Sequence, residues 1–404
     1  MKVIYSIVLG LCMAIMPANA ETENCNVNKD SNRNVNWEKM ADGMSDALIK
    51  HFWGANFKGH EKRYYFNYGS DMSDMSTNHY WPQAHAMDVL VDAYMRTGDK
   101  KYKDLFPLWW NGMPRYNFAS KMNPKDKWWN VFVDDMEWIV LAQIRMFEST
   151  GNKEYIVKAR QIYDDWIWST WGPEDEAPWF GGITWKTDVA KSKNACSNGP
   201  AALIAARLYN FFDKAGFKDG KIKNAYLNEA IKIYTWEKSY LFDRNTGSVY
   251  DNINGKGEIQ KNWIFSYNIG TFLGAAHELY KITGDEQYLK DAVKAANYVV
   301  DKLSDNNGVL SNATNGDGGL FHGIFFRYFV KLINDSSVDY SIRKKFHDYI
   351  TYSATVMAEK GVNHKTMLYG GSWRKAPADN EKVCLTPHLT GCMLMEAMCV
   401  LQPL

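Results

Sequence analysis

Neither sign of charge dominates this chain of 404 residues: 47 basic side chains meet 46 acidic ones, leaving a formal charge of +1. That balance excludes the one-signed field with which nucleic-acid binders and anionic-membrane binders draw in their partners. Cysteine is scarce, at six residues. No Cys-x-x-Cys or His-x-x-x-His pair offers zinc-ligand spacing, so no metal is expected. The Gly-x-Ser-x-Gly elbow, the P-loop and the Gly-x-Gly-x-x-Gly turn are missing too, which argues against the serine-hydrolase, nucleotide-hydrolase and dinucleotide-binding classes. The nine histidines are scattered. His85 and His322 stand beside loop-to-helix junctions, where a lone histidine is more often structural than catalytic.

Long apolar runs are also missing, apart from Val3 to Ile15 near the start. That run is too short to span a bilayer. With Lys2 before it and Ala18-Asn19-Ala20 after it, residues 1–20 read as a secretory leader. The mature chain is therefore expected to be exported, periplasmic or extracellular, with no membrane span and no nucleic-acid partner, as a monomer. Cys12 falls inside the leader, leaving Cys25, Cys196, Cys384, Cys392 and Cys399, an odd number that cannot all pair. Cys392 and Cys399 sit seven apart on an apolar helical pattern and read as small core hydrophobes.

What the chain does have is a recurring turn. Thr97-Gly98-Asp99, Thr150-Gly151-Asn152 and Thr283-Gly284-Asp285 each follow an apolar stripe of helical period and precede another. Glycine suits the left-handed residue just past a helix, and Asp or Asn suits the N-cap of the next one. The unit is a helical hairpin. About twelve such segments are expected, near 36–52, 82–97, 99–112, 135–149, 152–168, 198–214, 223–240, 266–283, 285–303, 318–334, 337–359 and 384–401. Twelve helices in hairpins predict an all-α (α/α)6 barrel, with an open solenoid as the competitor. Unequal repeats and long glycine- and aromatic-rich connections favour the closed ring with functional loops at one end. No linker divides the chain, so one domain is expected over 36–404, after the leader at 1–20 and an extension at 21–35.

Aromatic residues are abundant, with 16 Trp, 24 Tyr and 19 Phe. Many fall in connections, among them Trp129, Trp185, Trp263 and Tyr267. Flat rings with polar edges stack on sugar faces, although any one of them could equally be core. Within this setting "WWNVFVDDMEW", Trp128 to Trp138, places two adjacent carboxylates at the start of an apolar helix. Asp134 as an N-cap, with Glu137 three residues on closing a capping box, would explain one of them. A glycosidase needs two carboxyl groups, one ionised and one protonated, roughly 5 to 5.5 Å apart in the retaining variant. Adjacent residues at a helix entrance can reach that separation. Asp164-Asp165 in "IYDDWIW" is a decoy, because neighbours in mid-helix diverge by about 100° and face solvent.

The sequence resembles glycoside hydrolase family 76, the α-1,6-mannanases. The resemblance is carried in order by "DDMEW" at Asp134 to Trp138, "FGGITWK" at Phe180 to Lys186, "KNACSNGPAALIAARLY" at Lys193 to Tyr209, "FSYNIG" at Phe265 to Gly270, and "GIFFRY" at Gly323 to Tyr328. It implies an (α/α)6 barrel without an organic cofactor, acting by endo-hydrolysis with retention on an α-mannan or mannooligosaccharide substrate. Carried onto these positions, Asp134 is the nucleophile and Asp135 the general acid/base. Trp129, Gly181, Gly182, Trp185, Asn194, Asn198, Tyr267, Asn268 and Arg327 are candidates for gripping mannose, the two glycines by letting backbone approach the sugar. Ile269 departs from the pattern where a polar residue is expected. The rival readings are a mannan transglycosidase using the same carboxylates, another (α/α)6 sugar enzyme, and a non-catalytic glycan-binding protein.

Overall fold

A computed structural model describes residues 35–56, 63–69, 80–117, 123, 126–189 and 191–404. The expected leader at 1–20, and all but the last residue of the expected extension at 21–35, lie outside the described residues. Residues 35–404 form one compact unit.

The recurring turn folds as a repeated hydrogen-bonded module. In each copy the threonine hydroxyl donates back to a helix carbonyl, from Thr97 to Ala93, Thr150 to Met146 and Thr283 to Leu279. The same oxygen accepts the N–H of the following Asp99, Asn152 or Asp285. Gly98, Gly151 and Gly284 take φ of +68°, +72° and +73°, the left-handed conformation that ends a helix. The next helix is then capped at once, Asp99 accepting from Lys101, Asn152 from Glu154 and Asp285 from Gln287. Each module thus reverses the chain within two residues.

Twelve long helices and one short one result among the described residues. An outer set comprises α1 (Trp37–Phe52), α3 (Lys100–Lys103) running on to α4 (Leu105–Tyr116), α6 (Lys153–Ile162), α8 (Gly220–Tyr240), α10 (Glu286–Tyr298) and α12 (Tyr340–Val356). The inner set comprises α2 (Tyr80–Thr97), α5 (Val133–Thr150), α7 (Ala195–Phe211), α9 (Ser266–Thr283), α11 (Phe321–Ile333) and α13 (Leu385–Val400). Inner helices pack in the order α2, α5, α7, α9, α11, α13 and back to α2, which closes the ring and rules out the solenoid. Composition sorts the two sets. α7 and α13 are buried around nearly their whole circumference, whereas α10 buries one stripe.

Several segments depart from a plain helix. The segment expected at 99–112 breaks at Asp104, and three outer helices end in a π turn, at Tyr163–Ile167, Val299–Leu303 and Met357–Gly361. The decoy pair lies in the first of these, exposed, with Asp164 accepting from Tyr226 at 2.8 Å.

The two ends of the barrel differ. Short reversals join inner to outer helices at the C-terminal end of the inner ring, whereas long connections (171–192, 241–265, 304–320 and 357–384) lead into the inner N-termini. Two antiparallel pairs stiffen these connections: β1 (Lys193–Asn194) with β2 (Asn252–Ile253), and β3 (Val362–Asn363) with β4 (Leu368–Tyr369). The outer helices α1, α3, α6, α8, α10 and α12 carry Asn or Asp caps. In contrast, α5, α7, α9, α11 and α13 begin without a side-chain cap and set their positive dipole ends at the loop-rich end, with the first N–H groups of α5, α7 and α13 donating to loop carbonyls.

Candidate active site

The chain entering α5 is tied down before the paired aspartates are reached. Asn117 donates to the carbonyls of Lys127 and Trp129, Tyr80 donates to the carbonyl of Trp128, and Asn130 accepts the N–H of Phe132. Val133 N–H then donates to Trp185 at 2.9 Å. The N-cap position belongs to Phe132, so Asp134 and Asp135 both lie in the first turn and neither caps the helix. No capping box forms. Glu137 turns inward instead and is fully buried.

Around the pair stand Cys196 from the first turn of α7, Tyr267 from α9 and Asp317 from the approach to α11. Trp81 of α2 donates its indole N–H to Asp317 at 3.0 Å. Burial raises the Asp134 carboxyl to about 7; the Cys196 thiol and the N–H groups of Asp134 and Asp135 pull the other way, and Asp317 adds to the rise. Asp135 is pushed further up, by burial first and then by the charges of Asp134 and Asp317. Two carboxyl groups buried in one apolar site disfavour ionising together, so the pair is driven to share a proton. One proton for two carboxyls is the division that an acid and a nucleophile require.

The other candidates fall into distinct groups. Trp185 packs on Phe132 with centroids 5.3 Å apart, and Tyr267 stacks on Phe321 at 4.1 Å and 13°. Both are half-buried at this end, as is Trp129. The asparagines are engaged to different degrees, and Asn268 Oδ1 has no hydrogen-bond partner among the described residues. Asn268 donates to Asp251 at 3.0 Å and Asn194 at 3.5 Å, while Asn198 accepts the N–H of Ile183 and donates to the carbonyls of Ile183 and Asn194. Asn198 therefore clamps the "FGGITWK" loop onto α7 and has no amide left for sugar. Replacing it with leucine is expected to strip both backbone groups of Ile183, costing about 1–3 kcal/mol for each group left unpaired, read as a lower midpoint in thermal unfolding.

Gly181 and Gly182, expected to admit sugar, meet tryptophan instead. They take φ of +108° and +82°, and an added Cβ would lie 2.6 Å from Trp171 and 2.6 Å from Trp236, respectively. Arg327 is likewise elsewhere, halfway down α11 and ion-paired with Asp88 and Asp92. Trp81, His85, Asp88 and Asp92 share one face of α2, so Arg327 sits below the mouth. His85 packs against Trp138 with tilted rings 4.8 Å apart, and His322 is held neutral between Ser266 and the Ser311 carbonyl. Asp251 and Asp317 escaped the sequence reading. The only signals were a glycine-flanked Asp just before a helix in "NGDGG" and a loop Asp beside asparagines in "YDNIN".

Beneath the pair lies a second acidic feature. Glu137 and Glu237 of α8 are fully buried, with no hydrogen-bond partner for any carboxyl oxygen among the described residues. Burial raises both far above the usual carboxylate range, and Asp134 and Glu237 add to the rise at Glu137. Burial therefore favours the protonated, neutral form of both. Because the folded form keeps these protons while the unfolded chain releases them near pH 4.3, stability is complete below that pH. It is lost as pH rises, by about 1.4 kcal/mol per unit for each group. Glu137→Gln and Glu237→Gln are expected to flatten this slope, seen by comparing denaturant midpoints at pH 5 and pH 7.5.

Among the described residues no group of three or more His, Cys, Asp or Glu is arranged to hold a metal ion, and no helix is long and apolar enough to cross a membrane. A closed double ring of helices, with paired carboxyls of split protonation among aromatics at its loop-rich end, defines a glycoside hydrolase of the (α/α)6 class. The chain belongs to glycosyl hydrolase family 76, whose family model matches residues 36–403. Among solved structures it is similar to an inactive variant of an α-1,6-mannanase from Salegentibacter sp. HEL1_6, with two adjacent aspartates replaced by alanine and α-1,6-mannotetraose bound. The identity is 33%, 91% of this chain and 100% of that chain are covered, and the TM-score is 0.79. The unsubstituted Salegentibacter enzyme matches at 34% identity over 91% and 100% of the two chains, with a TM-score of 0.78. A family 76 mannosidase from Bacteroides thetaiotaomicron shares the fold at 20% identity and a TM-score of 0.71, over 91% of this chain and 99% of that one. No curated protein matches.

Proposed function

We propose that this chain is a retaining endo-α-1,6-mannanase, exported through a leader at 1–20 and acting as a monomer without a cofactor. The observation that carries the reading is the adjacent pair Asp134-Asp135 in the first turn of an inner helix. It stands in a chain 33% identical to an α-1,6-mannanase whose variant lacking two adjacent aspartates is inactive. Asp134 attacks the anomeric carbon to form a mannosyl ester while Asp135 gives its proton to the departing glycosidic oxygen. Asp135, now ionised, takes a proton from water, and the resulting hydroxide displaces Asp134 and restores both groups. The uncapped N-terminus of α5 favours the Asp134 carboxylate, both free and as leaving group. Tyr267, held flat on Phe321, together with Trp185 and Trp129, supplies stacking faces for mannose.

Incubation of the purified protein with unbranched α-1,6-mannan tests this reading, with products sized by chromatography and the anomer released first identified by NMR. Short mannooligosaccharides appearing first as the α-anomer are expected. Products lengthened by an added acceptor sugar would identify a transglycosidase instead, since the same two carboxyls serve both reactions. Binding without any cleavage would leave only a glycan-binding protein.

A further inference from the structure

At the end of the barrel opposite the aspartate pair, a cavity of about 330 Å³ opens between the inner helices. Five cations line it: Arg96, Arg145, Arg207, Arg327 and Lys331. Its rim reaches solvent at Met95 and Val400, which are 50% and 52% exposed. Six inner helices end here, and their negative dipole ends account for cations in general at this level. They do not account for how the counter-charges are distributed.

The pairing is uneven. Arg145 and Arg327 share Asp88 and Asp92, two cations for two carboxylates. Arg96 holds two carboxylates, Glu396 at 2.8 Å and the half-exposed Asp42 at 2.9 Å. Arg207 and Lys331 have one between them: Glu278, which lies 3.5 Å from Arg207 Nε and beyond ion-pair distance of Lys331. Lys331 has no hydrogen bond or ion pair among the described residues, although it lines the cavity and is exposed within its mouth. Glu148, another carboxylate that acts on Lys331, is itself exposed.

We propose that this cavity binds a small oxyanion between Arg207 and Lys331, at a site separate from the sugar cleft. The anion would fill the gap beside Lys331 that no carboxylate reaches, with Lys331 as a mobile point donor and the Arg207 guanidinium, 5% exposed and resting 5.9 Å over the Tyr328 ring, as a fixed one. The volume accommodates a phosphate with room beside it, so inorganic phosphate is the probe.

Unfolding midpoints of the full chain would be measured in phosphate and in chloride at equal ionic strength, with sulfate and acetate as parallel arms. In wild type, phosphate at ten times its Kd is expected to raise the midpoint on the order of 2 °C over chloride. Lys331→Met should abolish that difference while leaving mannan hydrolysis unchanged. Asp134→Asn should keep the phosphate shift, separating this site from the sugar cleft and from the fate of the mannanase reading. An equal shift in sulfate with none in acetate assigns a tetrahedral oxyanion, and a shift in acetate as well extends the site to carboxylates. No shift in wild type, or the same shift in Lys331→Met, would overturn the proposal and leave the cluster as a plug that joins the helix ends.

Discussion

Asp134→Asn and Asp135→Asn are each expected to lower kcat on α-1,6-mannan by at least ~10³-fold with an unchanged circular dichroism spectrum, since each removes a group that makes or breaks a bond in the transition state. The two losses should differ in kind. Without Asp134 no ester forms from any substrate. Without Asp135 the first step depends on the leaving group alone, so an aryl mannoside with a good leaving group should still form the ester, which then persists. Azide, which needs no general base, should release that ester as the α-mannosyl azide in the Asp135 variant and do nothing for the Asp134 variant. Asp164→Asn should retain activity, because its carboxylate is exposed and engaged by Tyr226 and Arg160. Full turnover by Asp134→Asn would remove the mechanism.

Asp88→Ala is expected to be the most damaging substitution away from the aspartate pair, at about 3–5 kcal/mol. Asp88 is 5% exposed and bridges Arg145 of α5 and Arg327 of α11 to α2. Its loss would leave two buried guanidiniums sharing Asp92, which lies 2.6 and 2.9 Å from them. The cost arises from stranding charge in a poorly solvated interior, not from the pair's own attraction. The exposed pair Lys344–Asp348 on α12, 2.7 Å apart, makes the contrast, and Asp348→Ala should cost about 0.5 kcal/mol or less. Guanidinium titration of both variants checks the difference. Equal, small effects would show that the ion-pair layer adds nothing to barrel closure.

These expectations divide according to what the chain displays locally. Three Thr-Gly-Asp/Asn modules and the alternation of wholly apolar with one-sided stripes are local features, and they sufficed for an (α/α)6 ring of inner and outer helices. The placement of Asp134-Asp135 at a helix start was equally legible, because helix N-termini are written in a few consecutive residues. Capping was the part of that reading that failed. Phe132 takes the cap position, and the aspartates enter the first turn because the Trp185 carbonyl, 52 residues further on, receives the Val133 N–H.

What each polar side chain does was decided by residues far away in the chain. Asn198 looked like a sugar ligand until the backbone of Ile183 took its amide, whereas Asn268 and Asn194 each give one hydrogen bond to Asp251. Arg327 looked like a subsite residue until Asp88, 239 positions earlier, was placed against it. Sequence by itself determined the helical ring, its family and the pair of carboxyls at its loop-rich end, all consequences of periodicity, caps and short motifs. Only the tertiary structure decided how strongly burial and mutual charge raise those carboxyls and which polar groups are engaged elsewhere. Desolvation and charge proximity depend on distances through space, which spacing along the chain does not encode.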